Sequence, residues 1–180
     1  MFRPLAPLAL ALALASCAST GPRSVTDSGM PRAVGEGSAV NVRWDDPAKF
    51  SELRYSQNRW QASQGDWVVE LADYMREKIE KAVPAGDRVD VEILDITRAG
   101  EYEWMPRSTN DDIRVMRDVY PPRMTLEFRH VDASGAVVAE GERKLADLAY
   151  LQSQPPFPSS DPLRYDKRLI DTWIRREFKR

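Results

Sequence analysis

In the stretch "AVNVRWDDP" apolar and polar residues alternate: Val40, Val42 and Trp44 face one way, Asn41 and Arg43 the other. A period of two predicts a half-buried strand, and Asp45-Asp46-Pro47 ends it in turn chemistry. The next stretch, "KFSELRYSQNRWQAS", has no clean period. It reads as a loop or a short helical turn that lays Phe50, Tyr55 and Trp60 on the core. In "DWVVELADYMREKIEKAV" the period lengthens. Trp67, Leu71, Tyr74, Met75, Lys78 and Ile79 recur at three- and four-residue steps, which predicts a helix over about 66–83. Ser63 or Asp66 can cap it, Pro84-Ala85-Gly86 stops it, and Glu77 and Lys81 pair on its wet side.

Alternation returns in "RVDVEILDI", with Val89, Val91 and Ile93 set against Asp90 and Glu92. Gly, Pro and Asn then break the pattern through "RAGEYEWMPRSTNDD", which predicts a loop. "RMTLEFRHVDASGAVVAEGERKL" reads as two strands joined by a turn at 132–135, with Met124, Leu126, Phe128 and His130 on one face. A Pro-rich crossing follows. Asp161-Pro162 then looks like an N-cap with Pro at N1, opening a last helix whose stripe is Leu169, Ile170, Trp173 and Ile174. The order β-α-β-β-β-α predicts an α+β fold: a small, mainly antiparallel sheet with two helices packed on one face.

Composition narrows the class. Hydrophobic residues make up 42% of 180, enough for one core, and the net charge of −2 offers no global field for nucleic acid. The cysteine count of 1 rules out an internal disulfide. That cysteine sits in "LALALASCAST". Arg3 and an apolar run over about 5–14, too short to span a bilayer, precede it. Leu14-Ala15-Ser16-Cys17 resembles the lipobox of bacterial lipoproteins. The resemblance implies cleavage before Cys17, a diacylglyceryl group on its thiol, and stable anchoring by two or three acyl chains. Ala18, where an Asp would favour retention in the inner membrane, implies sorting to the outer membrane. The expected organisation is a signal over 1–16, a flexible Ser/Gly/Pro-rich tether over 17–38 and a single domain over 39–180.

Candidate chemistry is sparse. His130 shares the inward face of a strand, so a packed, hydrogen-bonded imidazole is its ordinary role. No nucleophile elbow occurs. Zinc would need several His or Cys ligands, and the pairs Asp45-Asp46 and Asp111-Asp112 lack the spaced ligands of an EF-hand. No phosphate-binding Gly loop or other cofactor motif is present, so no cofactor and no metal are expected. The stretch 95–117 stands apart. It gathers Asp95, Arg98, Glu101, Tyr102, Glu103, Trp104, Arg107 and Arg114, and Trp, Tyr and Arg dominate binding hot spots. Asp95, Arg98, Glu101, Trp104 and Arg114 form the candidate binding surface. Trp104 and Arg114 are expected partly exposed and adjacent, with Glu101 paired to an arginine.

"ILDITRAGEYE" at 93–103, "IRVMRDVYPPRMTLEF" and the late "LRYDKRLIDTWIRREF" resemble an uncharacterised bacterial family, domain of unknown function family 3016, over about 40–178. The resemblance implies an exported envelope protein and brings no activity with it. Two functions are therefore expected in competition. The first is a non-catalytic, lipid-anchored periplasmic binding or assembly module that touches the membrane through its lipid and has an envelope protein as partner. The second is a small carboxylate hydrolase with Asp95, Glu101 or Glu103 as acid and base.

Overall fold

Alternating segments pair into one mixed sheet, and the helical periods supply its cover. The structure, a computed structural model, describes residues 23–103, 112–152 and 154–178. In chain order its elements are β1 (Ala33–Val34), β2 (Val40–Trp44), a 3-10 turn (Pro47–Lys49), α1 (Ser51–Tyr55), α2 (Arg59–Ser63), α3 (Trp67–Glu80), β3 (Arg88–Thr97), β4 (Glu101–Tyr102), β5 (Arg114–Val115), β6 (Arg123–Val131), β7 (Val137–Ala146) and α4 (Arg164–Glu177). The main sheet runs β1-β2-β3-β6-β7, and β4 pairs with β5 in a separate two-stranded ladder. β2 and β3 are parallel because α1, α2 and α3 carry the chain back between them; the other pairs are antiparallel.

One face of the sheet is apolar and covered. Val42, Val91, Ile93, Leu126 and Phe128 meet Leu71, Met75 and Ile79 of α3 and Ile170, Trp173 and Ile174 of α4 in a single cluster. This is the expected α+β arrangement with two main helices on the sheet. The opposite face carries Arg43, Asp90, Glu92, Glu127, Arg129 and Glu140, in part as cross-strand ion pairs such as Arg43–Glu92 at 2.6 Å. A register shift between Ile93 and Asp95 changes the phase of β3. Ile96 is thereby turned to the core although Val89, Val91 and Ile93 set the opposite parity, and the bulge leaves Asp95 free to bond outside the sheet.

Three local expectations change. Tyr55 and Trp60 are 70% and 64% exposed, and only Phe50 reaches the core; Leu53 and Ala62 fill the inward positions of α1 and α2 instead. α4 begins at Arg164 rather than at Pro162, because Asp161 Oδ1 accepts from Leu163 N at 2.8 Å in a turn just before it. The tether expected up to residue 38 is docked from Ser24 onward. Val25 N donates to Ser63 O at 2.9 Å, the Val25 side chain is buried, and β1 adds to the edge of β2. Cys17, the expected signal and Trp104 lie outside the described residues.

Candidate recognition site

β3 delivers Arg98 and Ala99 to the end of the sheet, and Gly100 turns the chain into β4. Gly100 has φ +80°, and a Cβ there would lie 2.7 Å from Met116 Sδ and 2.8 Å from Val115 O. Only glycine fits both the conformation and the space. The excursion that follows returns through β5, whose Arg114 is opposite Tyr102.

The root of this excursion is locked by an acid in the aperiodic part of the sequence. Glu52 of α1 is 3% exposed. Its Oε2 accepts from Arg98 N at 2.9 Å and its Oε1 from Arg98 Nε at 3.0 Å. Arg114 grips the same carboxylate with both arms, at 2.7 and 3.0 Å. It also donates to the carbonyls of Ala99 at 2.7 Å and Gly100 at 2.9 Å. Arg98 reaches Ala62 O at 3.1 Å and lies over the Trp67 ring at 4.4 Å. Arg114 lies over Tyr102 at 5.0 Å. Desolvation alone would push the Glu52 carboxyl up. The charges of Arg98 and Arg114, with their hydrogen bonds, outweigh it and hold Glu52 below the usual range.

A second buried acid responds in the opposite sense. Asp166, in the first turn of α4, accepts from Ala99 N at 3.1 Å through Oδ1. Its Oδ2 is buried with no hydrogen-bond partner in the described structure. Burial pushes this carboxyl up to about 6, against the pull of Arg114, Arg98 and the Ala99 N–H. Beside the cluster opens a cleft of about 370 Å³, lined among others by Arg98, Tyr102, Arg114, Ser159, Ser160 and Arg164.

The structure brings Asp95, Arg98, Glu101 and Arg114 together around α1. Asp95 accepts from Ser51 N at 2.6 Å and Ser51 Oγ at 2.7 Å. It thereby caps α1 from another strand, where the local N-cap, Phe50, has no side chain able to do so. Glu101, expected to pair with an arginine, accepts instead from Ser56 Oγ and from its own neighbour Tyr102 N, each at 2.8 Å. The acid that takes both arginines is Glu52. The Arg114 side chain is only 13% exposed. Glu103 accepts from Arg117 at 2.7 Å and from Tyr120 Oη at 2.9 Å. These two hydrogen bonds hold its carboxyl low. Trp104 of the expected surface, and Arg107 of the same stretch, lie outside the described residues. His130 Nε2 is 2.7 Å from Asp87 Oδ2, the packed, hydrogen-bonded role its strand position suggests.

Glu52 and Asp166 escaped the sequence reading. Glu52 had no periodic pattern to mark it as inward. Asp166 did carry a signal: it stands one turn before Leu169 and Ile170 on the apolar stripe of α4, where an acid requires a buried partner. Among the described residues no group of three or more His, Cys, Asp or Glu is placed to hold a metal ion, and no helix is long and apolar enough to cross a membrane.

The model of a family described as "protein of unknown function (DUF3016)" matches residues 38–176. The chain belongs to the DUF3016 family. No curated protein and no solved structure matches it. The DUF3016 span contains Glu52, Arg98, Arg114 and Asp166, whereas the docked segment with Val25 and β1 precedes it.

Proposed function

We propose that this DUF3016 protein is a lipid-anchored, non-catalytic binding module of the bacterial envelope, held at the periplasmic face of the outer membrane through Cys17. Its partner is an envelope protein that presents an acidic segment to the cleft beside α4. The observation that carries this reading is the local charge balance. Arg98, Arg114 and Arg164 converge on the cleft. Glu52 neutralises one positive charge and Asp166, ionised above about pH 6, a second, which leaves one arginine in excess. An excess of positive charge in a partly desolvated cleft favours an anionic partner.

A carboxylate hydrolase draws less support from the same geometry. Asp95, Glu101 and Glu103, its expected acids and bases, are engaged by Ser51, by Ser56, and by Arg117 with Tyr120. The carboxyl that burial does raise, Asp166, is fully buried in a helix rather than placed on the excursion. The anchor rests on the lipobox and on Ala18.

Crosslinking in intact envelopes tests the reading. Arg164 lines the cleft but takes no part in the grip on Glu52, so Arg164→Glu is expected to keep the melting temperature while losing the crosslinked partner. Cys17→Ser is expected to lose acyl mass and membrane association. Equal crosslinking by the wild type and Arg164→Glu would exclude the cleft. A wild-type N-terminal peptide without acyl mass would exclude the anchor.

A further inference from the structure

The two edges of the main sheet differ. β1 closes one edge with two residues. β7 leaves ten residues along the other, and among the described residues it pairs with β6 on one side only. Along β7, Val137, Val138, Glu140, Gly141, Glu142, Lys144 and Ala146 are exposed, while Ala139, Arg143 and Leu145 are half-buried. An edge of this length is a template for another strand, and natural edges are usually blunted by proline, shortness or unmatched charge. β7 has no proline. Its open face carries Glu140, Glu142 and Lys144, opposite Arg129, Glu127 and Thr125 of β6.

We infer that the free edge of β7 pairs with β7 of a second copy of this chain, antiparallel about a twofold axis through Glu142, to form a continuous ten-stranded sheet across a homodimer. The register follows from side-chain chemistry. Centring the axis on Glu142 sets Glu140 of each copy against Lys144 of the other, twice over. It also sets Ala139 against Leu145 on the inward face. Opposite charges facing across neighbouring strands stabilise a pair, and like charges penalise a slipped one. The Glu142 side chains that meet at the axis are each held by Lys144 of their own chain, 3.2 Å away. α4 does not obstruct the approach. It touches β7 from the inward side, where Arg143 forks onto Glu177 at 2.9 Å through both Nε and Nη2. An isologous contact of this kind closes as a dimer and leaves no further long edge for growth.

Light scattering on the full chain in detergent, with the detergent mass subtracted, tests this. The wild type is expected at twice the chain mass. Glu140→Lys and Lys144→Glu each place like charges across the axis and are expected at the chain mass, with unchanged circular dichroism. An equimolar mixture of the two variants restores both opposite-charge contacts and is expected to return to twice the chain mass. Independently, Glu142→Cys is expected to give a disulfide-linked dimer on mild oxidation, whereas Lys144→Cys, displaced by four residues from its own copy, is not. A wild type at the chain mass at every concentration, single variants that keep the doubled mass, or a mixture that stays at the chain mass would each overturn the proposal.

Discussion

The pair β3 and β6 ends in a buried charged group on each side, and the two are built differently. Where β3 starts, Asp87 meets His130 through one contact of 2.7 Å, with the imidazole edge-on to Phe178 at 5.5 Å. Where β3 finishes, Glu52 accepts from two arginines and one backbone N–H. Those arginines in turn hold carbonyls of α2 and of the excursion root. The first contact ties together two segments that the sheet already pairs. The second joins α1, α2, the end of β3 and β5 through one buried carboxylate. A buried ion pair is costly to break in proportion to what it leaves unpaired, so the two ends carry different shares of the fold.

The largest effect is expected at the second end. Glu52→Ala strands two largely buried guanidiniums and should cost about 3–5 kcal/mol in urea unfolding. A loss under about 1 kcal/mol would show that the arginines find water, and the contrast between the two ends would vanish.

A pH titration sharpens the comparison within that cluster, because its two acids shift oppositely. Asp166 has its folded value raised to about 6 from 3.8. Its neutral form favours folding, so its contribution is fully present below about pH 4 and is lost as pH rises through about 6. About two units correspond to about 3 kcal/mol. Glu52 has its folded value lowered, so its contribution is present above the ordinary carboxylate range and is lost as pH falls through its folded value. The Asp166 contribution should therefore fall mainly between about pH 4 and pH 6, a fall that Asp166→Asn should lack. Parallel slopes for the two proteins would show that Asp166 is ionised throughout.

The smallest effect is expected at the first end. His130→Leu removes the Asp87 carboxylate's partner among the described residues but keeps an apolar group against Phe178. It should cost about 1–2 kcal/mol by urea unfolding and leave the excursion unaffected, as read by the accessibility of a probe at the exposed position 113. A cost equal to that of Glu52→Ala would make the two ends equivalent.

Much of the architecture was legible along the chain. The stripe of α3 and the alternation of β2, β3 and β6 each depend on near neighbours, and burial follows the period. Asp132 closes the β6–β7 turn as its position suggests, accepting from Ser134 and Ala136. The candidate site was legible only as a list of residue types. Arg98 and Arg114 stood out as charges, but the carboxylate they share lies 46 and 62 positions away, in a segment without a period. Asp95 read as part of a binding surface and Glu101 as a partner for an arginine, and they serve instead to fix the two ends of α1.

What the chain determines by itself is what short-range periodicity and local chemistry can encode: which residues form strands and helices, and which face of each is apolar. Tertiary structure alone decided the parallel pairing of β2 with β3, the docking of Ser24 and Val25, and the partners of every buried charge. The reason is physical. A side chain's period states that it is inward, whereas the partner that makes an inward charge tolerable is supplied by whichever distant segment the packed helices and sheet bring within hydrogen-bond reach.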